Sequence, residues 1–239
     1  MARKKFRPAW WAVIVVALLS ALMIGLGVWQ LQRGFAKQAL LDRYQQASVQ
    51  DAVPITAGHV ARENEIERAY VRGRFDTARQ LLLDNQSHDG VPGYHVWTPL
   101  VQDDGSTVIV DRGWISHDTA QLPDVLAAPD ARVEIHGFWR TPPVPGMRLK
   151  TDNCAALPWP RTVEYPTLAD LQCVYGQFVA PGILLMDPAE SDGYVRDWQT
   201  APELNPTKHY GYAGQWFAFT LTLLVIFIKM SFRVPTPQK

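Results

Sequence analysis

The sequence predicts a membrane protein in which two transmembrane helices flank one extracytoplasmic α+β domain. That domain is mainly antiparallel β, a small barrel or sandwich. Three observations predict this. Charge is absent from residues 8–28 and again from 210–228, although the 239-residue chain balances 23 basic against 23 acidic residues. All 23 acidic residues fall between those runs. The intervening segment is rich in short β-branched and aromatic stretches punctuated by Gly and Pro, with no strand–helix alternation of the βαβ kind.

The first run, PAWWAVIVVALLSALMIGLGVW from Pro8 to Trp29, has Ser20 as its only polar side chain. The second, YGYAGQWFAFTLTLLVIFI, spans 210–228 and is diluted by Gln215 and two threonines. Nineteen helical residues rise about 28 Å, close to the hydrocarbon thickness of a bilayer. A cleaved signal peptide fits the first run poorly. Its apolar core is too long, and Trp29-Gln30-Leu31 is not a small-residue cleavage site.

Charge sets the orientation. Arg3, Lys4, Lys5 and Arg7 precede the first span, and Lys229, Arg233 and Lys239 follow the second, with no acidic residue in either tail. The positive-inside rule puts both ends in the cytoplasm. Arg33, Lys37 and Lys208 weaken the contrast without reversing it. The expected organisation is a cytoplasmic 1–9, a span over 10–29, an outer domain over 30–208, a span over 209–228 and a cytoplasmic 229–239. In a Gram-negative cell the chain is then a multi-pass protein of the inner membrane with a periplasmic domain. That domain holds 16 basic against 23 acidic residues, a charge of −7, which argues against nucleic acid and suits solubility beside anionic lipid or a basic partner.

Within the outer segment, QLQRGFAKQALLDRYQQA after Trp29 is rich in helix formers. The first helix continues out of the membrane or restarts near Gln32, and Val53-Pro54 marks its end. Residues 48–64 read as connection. Strands follow in EIERAYVRGRFD, ARQLLLDN, GYHVWTPLVQ, TVIVDRGWI and RVEIHGFWR, with DDGST as a turn and GILLMDP from Gly182 as a late strand. TLADLQCVYG reads as a short helix with Thr167 as its N-cap. Cys154 and Cys173 lie nineteen apart without CxxC spacing. An oxidising compartment permits a disulfide between them, and two unpaired cysteines or a metal or catalytic role are the alternatives.

Few residues carry a chemical suggestion. His209 opens the second apolar run in HYGYAGQWFAF. In helical register Tyr212, Ala213 and Trp216 follow at i+3, i+4 and i+7. The ring is a solvated member of an aromatic belt, an axial ligand to a heme or metal between aromatic walls, or a proton-relay or partner contact. Gly25, Gly27, Gly211, Ala213 and Gly214 are small enough to let the two helices approach closely. In DRGW, Arg112 could grip a carboxylate such as a heme propionate, or make a structural ion pair at a glycine-permitted bend. His59, His88, His95, His117 and His136 form no compact ligand spacing and read as surface or turn histidines. There is no GxSxG, P-loop or GxGxxG, and Ser116-His117-Asp118 carries no triad geometry, so no motif argues for an enzyme.

Four blocks together resemble the surfeit-locus protein one family in its own order: LGVWQLQRGFAKQALLDRY, TPL at 98–100, VDRGWI at 110–115 and HYGYAGQWFAF at 209–219. The stretch 147–160 and LQCVYG fit the family less closely. The resemblance implies an assembly factor, not an enzyme, for heme–copper oxidases. It would bind heme a as cargo and assist its delivery into cytochrome c oxidase subunit I. It implies His209 as the heme-iron ligand, with Tyr212 and Trp216 beside it and Gly113 next to Arg112. Asp111 stands where many members have asparagine, which makes it a candidate salt-bridge partner for Arg112. Implied partners are subunit I, heme a synthase and membrane lipid, with homo-oligomerisation open. A cofactor-free scaffold for nascent subunit I is the alternative, and a membrane enzyme acting on heme or lipid is a third.

Overall fold

The computed structural model describes residues 5–63, 65–121, 126–144, 152–155, 158–198 and 205–233. The chain divides into two units, Met1–Leu41 with Glu203–Lys239, and Asp42–Pro202. Arg3, Lys4, Lys239 and residues 147–151, 156 and 157 of the expectations above lie outside the described residues.

The first unit is an antiparallel helix pair. Helix α1 (Trp10–Ser48) runs 39 residues without a break, because no proline falls between Pro8 and Pro54; its last turns belong to the second unit. At about 1.5 Å per residue it is about 58 Å long. Helix α3 (Pro206–Ser231) starts where the Asn205 side chain accepts from the Thr207 amide and Pro206 presets the first turn. Both helices are long and apolar enough to cross a membrane. The pair is tied at one end by the two-residue strands β1 (Lys5–Phe6) and β10 (Phe232–Arg233), which pair antiparallel. There the Phe6 and Phe232 rings meet edge to face at 5.4 Å.

The seam follows a seven-residue repeat. Ser20, Gly27 and Gly34 are buried on α1, and Ala213 and Thr220 on α3. That spacing is the 3.5-residue period of paired helices. A Cβ on Gly27 would lie 2.6 Å from the Phe217 ring, and one on Gly34 would strike the Tyr210 ring. Gly25, Gly211 and Gly214 meet nothing within 4 Å. Of the five small residues singled out in the sequence, Gly27 and Ala213 therefore lie in the seam, and Gly34 joins them.

The second unit is built on a mixed sheet of eight strands. These are β2 (Val53–Pro54), β3 (Glu67–Phe75), β4 (Leu81–His88), β5 (Val91–Val101), β6 (Thr107–Ser116), β7 (Val133–Arg140), β8 (Arg161–Val163) and β9 (Val179–Met186), in the order β2-β3-β7-β9-β6-β5-β4-β8. β3 also pairs with β5, through Arg74–Val101 and Phe75–Leu100, which closes a ring of β3, β7, β9, β6 and β5. Three pairings are parallel, β2–β3, β4–β8 and β6–β9, where the sequence suggested antiparallel neighbours. Two of them involve strands of two or three residues that carry too little pattern to be read. Helix α2 (Leu168–Tyr175) opens on a capping box, in which Thr167 accepts from the Asp170 amide and Asp170 accepts from the Thr167 amide. Cys154 and Cys173 are joined as a disulfide, which ties residues 152–155 to α2.

One face of the sheet packs Val71, Leu100, Val108, Val110, Trp139, Leu184 and Met186 into a core. The other carries Trp97, Asp111, Leu185 and Phe138 in register across β5, β6, β9 and β7. Tyr44, from the last turns of α1, sets its ring edge against Phe138 at 5.3 Å, and its hydroxyl accepts from Arg140 at 3.1 Å.

Candidate functional site

His209 lies in the first turn of α3, one turn after the Asn205 cap. Its Nδ1 is 2.8 Å from Oε1 of Gln30 on α1, a contact between residues 179 apart in sequence. The ring is half-buried. Among the described residues no side chain or backbone group bonds its Nε2. Gln30 sits three residues after Gly27 and four before Gly34, on the α1 face that meets α3. The two glycine-to-ring contacts thus flank the polar pair on α1.

The aromatic surroundings divide by face. Trp216 is half-buried and meets Phe219 edge to face at 6.2 Å. Tyr212, expected on the same face as His209, is 52% exposed. Residue i+4, the buried Ala213, takes the central seam position that i+3 narrowly misses. Tyr210 covers Gly34 and lies 5.7 Å from the ring of Phe35. On the exposed side of α1 the Arg33 guanidinium sits over Trp29 at 5.7 Å. Gln30, Gly34 and Tyr210 are site residues that reading along one helix could not find. Their only signal is the i, i+4 spacing of Gln30 and Gly34 inside the WQLQRG run.

Arg112 lies in the second unit, 1% exposed, and its guanidinium is engaged. Nε donates to the Asp192 carbonyl at 2.9 Å, and Nη2 donates to the Asp192 and Ala127 carbonyls, the latter at 2.8 Å. Nη1 donates to the Leu126 carbonyl at 3.2 Å. The rings of Phe75 and Tyr194 lie 5.4 and 5.0 Å from its Cζ. Four of the five N–H bonds of the fork are used on main-chain carbonyls.

Asp111 does not pair with Arg112, which corrects the salt bridge expected between them. Neighbours on a strand point to opposite faces. Asp111 instead accepts from His95 Nδ1 at 2.9 Å, Trp97 Nε1 at 2.9 Å and the Gly113 amide at 3.0 Å. Gly113 holds φ at +110°, and Trp114 just beyond it bridges Val195. The other histidines are likewise placed beside carboxylates. His59 meets Glu67 at 2.7 Å, His136 meets Glu190 at 3.1 Å, His117 meets Asp84 at 3.4 Å and His88 meets Asp89 at 3.5 Å. Among the described residues no three His, Cys, Asp or Glu side chains are grouped to hold a metal ion. A ligand set for iron would therefore start from a single histidine.

The profile described as the SURF1 family matches residues 17–221. A SURF1-like protein of Dictyostelium discoideum is 27% identical over 107 residues, 41% of this chain and 40% of that protein. The cytochrome oxidase assembly protein SHY1 of Saccharomyces cerevisiae is 27% identical over 126 residues, 50% of this chain and 31% of that protein. Surfeit locus protein 1 of Arabidopsis thaliana is 29% identical over 123 residues, 46% of this chain and 35% of that protein. The matched region spans between about a third and two fifths of the length of these relatives.

Proposed function

The chain belongs to the SURF1 family, and from that membership and the helix-pair geometry we propose a membrane-anchored assembly factor for cytochrome oxidase that holds heme a as cargo for subunit I. The observation that carries the heme part is the state of the His209 ring. One nitrogen is fixed by Gln30, and the other is unbonded among the described residues at the end of an apolar helix pair. A neutral imidazole with a free ring nitrogen is a good iron ligand, and flat aromatic side chains beside it suit a porphyrin face. His209 holds the iron, and Trp216 and Tyr212 line the macrocycle. The exposure of Tyr212 supports a role against a bound ring or partner more than one in the helix seam. Bound heme supplies the iron that the oxidase needs, and this chain's residues supply only holding and release.

Arg112 acts as a lock within the outer domain. Its four carbonyl contacts support that role over a grip on a propionate. Both apolar helices span the inner membrane of a Gram-negative cell, with the basic termini in the cytoplasm and the acidic unit in the periplasm. The pairing of β1 with β10 supports termini on one side. Subunit I and heme a synthase are the partners.

A visible absorption spectrum tests this. The full chain is purified in detergent from cells that synthesise heme a, beside His209→Ala at equal protein yield. A heme a spectrum in the wild type that is diminished in the variant is the expected result. Wild-type protein free of heme overturns the heme reading and leaves a cofactor-free scaffold, which capture of subunit I then tests.

A further inference from the structure

His209 and Gln30 are bonded to one another across the two helices, and the bond has a direction. A neutral imidazole carries one proton and one lone pair, on opposite ring nitrogens. The atom 2.8 Å from Nδ1 is the amide oxygen of Gln30, which only accepts. The proton is therefore on Nδ1 and the lone pair on Nε2. The second tautomer would leave two acceptors facing each other and is disfavoured.

We propose that Gln30 is the positioning residue for His209: by accepting the Nδ1 proton it fixes the ring's tautomer and rotation and presents the Nε2 lone pair to iron. The inference rests on the heme reading above. Metal-bound histidines are usually held this way, by a carbonyl or carboxylate on the far nitrogen that orients the ring and strengthens its donation. An amide suits a membrane better than a carboxylate. It adds no charge to an apolar helix pair, and it accepts without taking the proton. The same chemistry argues against His209 as a relay, since a proton on Nδ1 has no onward acceptor in an amide.

The scaffold around the pair explains how it is held. Gln30 lies between Gly27 and Gly34, and both glycines are seated against rings of α3. Close contact on each side of Gln30 fixes the sliding and rotation of α1 against α3. A hydrogen bond between flexible side chains would otherwise be lost to small helix shifts. The polar contact is thus preorganised by the packing.

Two measurements test it, both on the full chain in detergent. In heme-free wild type with 15N-labelled histidine, the His209 resonances should report a protonated Nδ1 and a bare Nε2. A protonated Nε2 overturns the proposal. In heme-loaded protein, Gln30→Leu removes the acceptor at similar volume. It should weaken heme affinity about tenfold or more, raise the heme midpoint potential and shift the Soret band. Gln30→Glu, which keeps an acceptor, should retain heme and move the potential the other way. Loss of heme in His209→Ala with Gln30→Leu unchanged in affinity, potential and spectrum overturns the role of Gln30 and keeps the heme reading. A wild type without heme overturns that reading and this inference with it. If Gln30→Leu fails to fold, the wild-type tautomer and the Gln30→Glu potential still decide.

Discussion

Gly27 is seated against the ring of Phe217, so closely that a Cβ on the glycine would come within 2.6 Å of Cε1. The helix pair is therefore set by side-chain absence as much as presence. Gly27 and Gly34 each leave room for a ring of α3, so these parts of the seam are glycine-to-ring contacts.

Gly27→Ala and Gly34→Ala should each loosen the pair at a cost of about 1–3 kcal/mol, the usual range for overpacking. Gly25→Ala and Gly214→Ala, which open onto free space, should stabilise by up to about 1 kcal/mol through helix propensity. Thermal unfolding of the four variants in one detergent gives the comparison. Equal effects at all four positions would show that helix propensity, and not the seam, is being measured.

Arg112→Lys should destabilise the second unit by about 2–4 kcal/mol, because one ammonium cannot reach three carbonyls held by a planar fork and part of that buried set is left unpaired. Denaturant titration followed by tryptophan emission reads this. Heme content per folded molecule should not change. Heme lost at unchanged stability would restore the propionate grip.

Gly113→Ala should also destabilise, through two additive causes. The φ of +110° is a conformation L residues rarely adopt, worth about 1–3 kcal/mol. The new Cβ would further meet the Val195 carbonyl oxygen at 2.5 Å, a backbone atom that cannot swing away. The expected signature is loss of amide protection at Trp114 and Val195, which bond each other at 2.8 and 3.2 Å.

Alkaline pH should unfold the second unit earlier than surface charge would suggest. Burial raises the phenol pKa of Tyr175, Tyr194 and Tyr44 above the ordinary range, against the opposing pull of Arg79, Arg112 and Arg140 respectively. A raised folded pKa means that the folded state holds the proton more tightly. The contribution is complete below about pH 10, the unfolded value, and declines as pH rises above it. Phenolate absorbance rising together with loss of tryptophan signal is the expected titration. Early, independent ionisation of these three tyrosines would contradict it.

Much of the architecture was legible because it rests on local pattern. An uncharged run of bilayer length and the β-branched run Val108-Ile109-Val110 in Thr107–Ser116 both announce themselves within one segment. So does Thr167 as the N-cap of a short helix, to which the structure adds Asp170 as the second half of a capping box. The strands that escaped, Val53–Pro54 and Arg161–Val163, exist only through their neighbours. The direction of Asp111 could have been read from strand alternation, yet its partners could not, since His95 and Trp97 come from another strand.

By itself, then, the sequence determined two apolar helices, a β-rich segment between them and a histidine at the start of the second helix, because hydrophobic length and periodicity act along the chain. Only the tertiary structure decided that the β segment closes through Arg74–Val101 and Phe75–Leu100, that Arg112 is engaged by carbonyls from distant loops, and that His209 answers to Gln30. Each of those is a contact between residues far apart in sequence. Such a contact exists only in the folded chain, as the seating of Gly27 and Gly34 against rings of α3 exists only once the two helices have met.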